Sequence, residues 1–235
     1  MSSPDPKRRL TVWEERRRLL LGQMPQAHTE FRTSGVFGGP SLHFHLRALE
    51  AGEAGDFELF SEMLYALLVS WGMHRMGQPG PKMLPFEDFS ASLALVRPSL
   101  EPLKVLAPSD LTDAHWEALG DVFLELRVMR TSPSLVATSK VLAHWLPRLV
   151  APIDREYTLK FLPVRYRQKA SRKDEAGIFR QLHQEFFHPI LEDADFQDFD
   201  SACRHPSSAH PWDSSPLKLI DNLLIGTVRL ANQPD

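Results

Sequence analysis

The sequence predicts an all-α, multi-helix globular fold, and three observations carry that reading. Apolar residues recur at three- and four-residue steps through one segment after another, the spacing of a helix face turned toward a core. No segment alternates apolar and polar residues as a half-buried strand would, and no Asn-Gly or Asp-Gly hairpin turn occurs. The 19 prolines fall between the periodic segments and punctuate them, without forming a low-complexity linker. With 43% hydrophobic and 24% charged residues in a length of 235, a disordered or collagen-like chain is excluded.

Thr11-Val12-Trp13-Glu14 has the form of a capping box and is expected to open a helix running to Leu21, ahead of Gly22. A glycine-rich loop from Gly35 to Pro40 follows, after which Ser41 is expected to cap a short helix carrying Leu42, Leu46 and Leu49. Asp56 to Met76 reads as the clearest helix, with Phe57, Phe60, Leu64, Leu67, Leu68 and Trp71 on one stripe. Shorter segments over 86–96 and 100–107 are cut by prolines. Thr112 begins a second strong helix, with Trp116, Leu119, Phe123, Leu126 and Met129 on one face, broken by Ser132-Pro133-Ser134. Leu135–Leu146 is expected to be helical up to Pro147, Asp154 to open a helix through Leu162, and Asp174 to start one reaching Phe187. A short helix over 196–203 precedes Ser215-Pro216, a cap and first-turn proline ahead of the apolar closing helix 217–230. Residues 1–235 read as one helical domain, with a lobe boundary expected within 79–108 and a cleft between the lobes.

The single cysteine, Cys203, excludes an intrachain disulfide and reads as a small structural residue. The N-terminal residues lack the apolar core of a signal peptide. The longest strongly apolar stretch, Met63 to Trp71, is far below the ~20 residues that span a bilayer. A cytoplasmic protein away from membranes is expected. No P-loop, dinucleotide-binding glycine pattern, HExxH or CxxC is present, so no cofactor is implied. Among the 10 histidines, the His43/His45, His183/His188 and His205/His210 pairs lack metal-ligand spacing, and no metal site is expected.

The net charge of −3 conceals an asymmetry. From Arg148 to Lys173, eight Lys and Arg stand against Asp154 and Glu156, a local charge of +6. Tyr157, Phe161 and Tyr166 are interleaved with them. Arg148, Arg155, Tyr157, Lys160, Arg165, Arg167 and Lys169, with Ser139 upstream, are the candidate nucleic-acid contacts. Cations neutralise backbone phosphates and release their counterions. Equally, the basic tract fits a solvated surface paired with the acidic run Glu185, Glu192, Asp193, Asp195, Asp198 and Asp200.

The most informative stretch is Ser132–Tyr157. Lys140 and His144 lie one turn apart on an apolar helix, and Pro152-Ile153-Asp154 forms a proline-bounded turn after it. In these residues the sequence resembles the helix-hairpin-helix DNA glycosylase superfamily, whose lysine-bearing helix precedes a proline–apolar–aspartate turn. The resemblance covers about 30 residues, and Ala137-Thr138-Ser139 stands where the family has a glycine-rich turn. It implies Asp154 as the catalytic carboxylate, stabilising positive charge on the sugar, and Lys140 as a Schiff-base nucleophile. Extruding a base favours aromatic platforms, for which Trp71, Trp145 and Tyr157 are candidates alongside ordinary core roles. The same stretch, with Trp71-Gly72-Met73-His74-Arg75-Met76-Gly77, also resembles uncharacterised bacterial proteins. Trp71, His74, Arg75, His144 and Trp145 are the candidate pocket residues. The residues alone also fit Asp154 as a helix cap, Lys140 as a solvated side chain, and His74 and Arg75 as cations at a helix C-terminus.

Two functions follow as expectations. One is a DNA-binding, glycosylase-like protein acting on or recognising a damaged or modified nucleotide, with DNA as partner. The other is a non-catalytic helical module that binds nucleic acid or protein. No feature of the sequence speaks to the oligomeric state.

Overall fold

The computed structural model describes residues 6–35, 39–74, 80–131, 134–164 and 170–232, with side chains from Val12 onward. It is all-α: among these residues there is no strand, only an isolated antiparallel bridge between Met83 and Met129. No helix among them is long and apolar enough to cross a membrane.

The chain divides into two compact units. Unit 1 comprises Met1–Gly35, Ile153–Tyr166 and Gln181–Asp235; unit 2 comprises Val36–Pro152 and Arg167–Arg180. The span 79–108, where a lobe boundary was expected, lies wholly inside unit 2.

In unit 1, α1 (Pro6–Leu21) and α2 (Met24–Thr33) pack with α12 (Pro216–Leu230). Thr11 lies inside α1, so the expected capping box is not the helix start, and Pro6 at the observed start needs no N–H partner. α2 has no counterpart in the sequence reading. Its apolar face is narrow, Met24, Ala27 and Phe31, with His28 buried beside them. Ser215 caps α12, its hydroxyl accepting the Lys218 N–H at 3.1 Å, and Pro216 supplies the first-turn proline, as expected. All of Leu217–Thr227 is buried, polar residues included. Where α12 meets α2, a Cβ at Gly226 would collide with the Ala27 carbonyl, so glycine is what permits this close approach.

The Asp154 helix is shorter than expected: α8 spans Thr158–Phe161 only. The Trp13 indole N–H donates to the Leu162 carbonyl at 2.9 Å and ties α1 to its end. Farther on, α10 (His188–Leu191) follows a π turn, His183–Phe187, in which the His188 N–H reaches back to the His183 carbonyl. In a regular helix the Pro189 ring would meet the carbonyl of residue 185, and a widened turn removes that clash. Asp193 caps α11 (Ala194–Arg204), accepting the Phe196 N–H at 3.2 Å.

In unit 2, α3 (Pro40–Ala54) and α4 (Phe57–Ser70) form an antiparallel-type pair, followed by α5 (Phe86–Leu100), α6 (Asp113–Glu125) and α7 (Leu135–Trp145). Asp56 caps α4 through the Leu59 N–H at 3.1 Å. That helix stops at Ser70, short of the expected Met76, because Gly72 turns left-handed at φ +72°. The helix α5 runs through Pro98, whose missing N–H removes one bond near the helix end; the expected split into two segments is absent. Leu126 and Met129, expected on α6, lie beyond its end. α9 (Arg172–Leu182) begins in unit 2 and runs on into unit 1.

Replacing Gly226 by Ala is expected to lower the unfolding free energy by about 1–3 kcal/mol, the usual cost of overpacking. Urea denaturation measures it, and an unchanged midpoint would mean the α2–α12 contact yields freely.

Candidate functional site

Unit 2 holds the site built on α7. The N-terminus of this helix is fixed from below by Glu175, a fully buried carboxylate that accepts the Ser134 N–H at 3.1 Å and the Ser134 hydroxyl at 2.8 Å. Negative charge there meets unpaired N–H groups and the positive end of the helix dipole. Arg172, counted in the basic tract, donates to the Ser134 hydroxyl, to the Phe123 carbonyl and, at 2.7 Å, to the Leu126 carbonyl. It ties the end of α6 to the start of α7 and is a structural cation.

With its N-terminus fixed, α7 carries Lys140 into the interior. Lys140 is only 8% exposed, so it is not the solvated side chain its charge alone would suggest. Its ammonium lies 4.8 Å from the centroid of the Trp71 ring, a cation–π contact. One turn on, the His144 Nδ1–H donates to the Lys140 carbonyl at 2.7 Å. A carbonyl only accepts, so Nδ1 carries a proton, and Nε2 shares a second hydrogen bond with His45 Nδ1 at 2.9 Å. The Trp71 and His144 rings are 5.8 Å apart. Lys140, His144 and His45, all buried, thus form one cluster with the half-buried Trp71. His45 was passed over in the sequence because its partner is 99 residues away.

The other expected residues of this unit are placed differently. Trp145 is core, 5.0 Å from the Phe60 ring and under the Lys104 ammonium, with its indole N–H buried and unbonded among the described residues. Ser139, expected at a phosphate, is fully buried, and its hydroxyl donates to the Val136 carbonyl at 3.0 Å. His74 and Arg148 are exposed. Arg75, Arg165, Arg167 and Lys169 lie outside the described residues.

Asp154 belongs to unit 1. Its carboxylate accepts the Glu156 N–H at 2.8 Å, and its own N–H donates to the Thr158 hydroxyl at 3.0 Å. This Asx turn occupies 155–157 and delays the helix until Thr158, which is why α8 is short. Arg155 is exposed, Tyr157 is half-buried, and Lys160 is exposed in an ion pair with Glu156. An exposed pair of this kind contributes about 0–1 kcal/mol.

Unit 1 also contains a polar network that sequence reasoning missed. The Lys218 ammonium donates to Asp221 at 2.7 Å and to the Asn222 carbonyl oxygen; the Asn222 amide donates to Asp213 at 2.8 Å. The His28 Nε2–H donates to Asp213 at 2.9 Å, and its Nδ1 faces the Cys203 sulfur at 3.8 Å. Lys218 and Asp221 are both buried. The i, i+3 and i, i+4 spacing of Lys218, Asp221 and Asn222 was the available signal; nothing local pointed to His28.

Cys203, His28 and Asp213 follow the order of a nucleophile, a base and an orienting carboxylate. The electrostatics oppose that use. Burial, with Asp213 and Asp200 nearby, pushes the Cys203 thiol up to about 11, whereas a nucleophilic cysteine needs a stable thiolate. Burial also disfavours the charge on Asp213, yet hydrogen bonds from His28 and Asn222 outweigh it and hold the carboxyl below its usual range. Among the described residues, no three of His, Cys, Asp and Glu converge as metal ligands.

Because Asp213 is more acidic folded than unfolded, its stabilisation is full above the unfolded value of about 3.9 and is lost as pH falls through the lower folded value. Asp213→Ala should cost about 3 kcal/mol near neutral pH, the usual penalty for breaking a buried pair. Denaturation at a series of pH values should show the gap from wild type narrowing below about pH 4. A gap independent of pH would mean the carboxylate charge is not what stabilises. Compared with protein-family models, with curated proteins and with solved structures, the chain gives no match.

Proposed function

We propose that the protein is a cytoplasmic, DNA-binding, glycosylase-like protein that acts on or recognises a damaged or modified nucleotide, with Lys140 as its reactive amine. The observation that supports this reading is the setting of Lys140: an interior ammonium on the face of Trp71, on a helix fixed at its N-terminus by Glu175. A covalent amine must be held in place and be flanked by a surface that receives a flipped base or sugar. Addition of the Lys140 amine to the C1′ aldehyde of an opened abasic sugar forms a C–N bond, and loss of water yields an imine.

A second reading, a helical binding module without catalysis, is favoured by one observation. The Asp154 carboxylate is engaged by the Glu156 N–H and so has a local structural task.

Borohydride trapping on duplex DNA with a single abasic site separates the two. A covalent adduct is expected with wild type and a return to background with Lys140→Met, whose side chain preserves the apolar stem; circular dichroism checks that the variant is folded. An adduct undiminished in Lys140→Met, or none with wild type, removes the covalent reading.

A further inference from the structure

We infer that unit 1 carries a second ligand site, a groove for a phosphate-bearing nucleotide unit of a single strand. The inference rests on the nucleic-acid reading above and deepens it. The groove encloses about 930 Å³ between the end of α1, the turn before α8 and the last turns of α12. Arg16, Gln23, Tyr157, Lys160, Phe161 and Thr227 contribute to its wall.

Its two acids are already neutralised. Glu30 pairs with Arg229 at 3.0 Å, and Glu156 pairs with Lys160. Arg16 is different: its guanidinium stacks 5.2 Å from the centroid of the Phe161 ring and makes no ion pair among the described residues. The ring contact uses none of the guanidinium donors, which have no hydrogen-bond partner among the described residues, the condition for forked recognition of a phosphate. Thr227 supplies an independent mark. The residue is 3% exposed, it lines the groove, and its hydroxyl has no hydrogen-bond partner among the described residues. A buried hydroxyl without a partner costs free energy, and a polar ligand atom would satisfy it.

The occupant follows from the remaining wall. Tyr157 is half-buried and offers a ring to a flat group, as aromatic platforms do for unstacked bases. Lys160 is exposed beside it, tethered only by an exposed ion pair that a phosphate can replace. One planar ring, one fork and one ammonium match a base and its phosphate. The C-terminal end of α12 brings partial negative charge to the far side, which places the phosphate toward Arg16 and away from Asn232.

The test is fluorescence anisotropy of a labelled single-stranded oligodeoxynucleotide titrated with the full chain. Arg16→Glu should weaken binding at least tenfold, and Tyr157→Ala several-fold. Lys173→Glu, an exposed basic residue outside the groove, should change it less than twofold. Thermal midpoints near wild type ensure that each variant is folded. Equal losses for Arg16→Glu and Lys173→Glu, or no loss for Arg16→Glu, overturn the groove; so does absence of wild-type binding. Borohydride trapping that persists in Arg16→Glu with unchanged affinity overturns the groove alone. Oligonucleotide binding lost in Arg16→Glu, together with no trapping by wild type, upholds the groove and removes the covalent reading.

Discussion

A helix buried on all its faces must satisfy its polar groups from within the protein, and that constraint organises both units. α12 buries every residue from Leu217 to Thr227, and α7 buries every residue from Ala137 to Trp145. Water has little access to Lys218, Asn222 or Lys140. Each therefore has partners fixed by the fold: carboxylate and amide around Lys218, and an indole face under Lys140. Removing one partner leaves the other buried and unsatisfied, so these contacts confine the packing more narrowly than apolar burial does.

The two helices meet this constraint differently, and the difference bears on function. In the first turns of α12 the polar groups bind one another, from Lys218 through Asn222 and Asp213 to His28 and Cys203. That network resembles catalytic machinery in its order of groups, but it is arranged to keep the thiol protonated and the carboxylate engaged. Around α7 the ammonium rests on an aromatic ring, a softer contact that a polar ligand can displace. Burial of ionisable groups is common to both; what differs is the chemistry beside the ammonium, carboxylate and amide in one case and an indole face in the other.

Much of the helical architecture was legible in the sequence, because caps and periodicity are local. Asp56, Thr112 and Ser215 mark helix starts that the structure keeps. Boundaries were misplaced where a competing local interaction prevailed: Gly72 ends α4 early, and the Asx turn of Asp154 consumes residues that would have been helical. α2 escaped notice because three apolar side chains make too thin a stripe. For the site, Lys140 and His144 were legible as neighbours on one helix. Trp71 was named as a pocket residue and aromatic platform, but His45 was weighed only beside His43 and never joined to His144, since long-range pairing leaves no local trace. The basic tract was least legible as chemistry: its charges looked equivalent, yet Arg172 serves as a clamp on carbonyls while Arg155 faces solvent.

The division of the chain has a consequence for how the protein is made. Unit 1 is assembled from the first 35 residues, a short middle segment and the last stretch from Gln181. The partners that complete its core, Ala27 with Gly226 and His28 with Asp213, are separated by most of the chain. On a ribosome, α1 and α2 emerge before their partner α12 and present Met24, Phe31 and His28 to solvent until it follows. Most of unit 2, being nearly contiguous, can gather as it appears. Vectorial synthesis therefore imposes an order: unit 1 closes after unit 2 has emerged, because His28 waits for a partner 185 residues downstream.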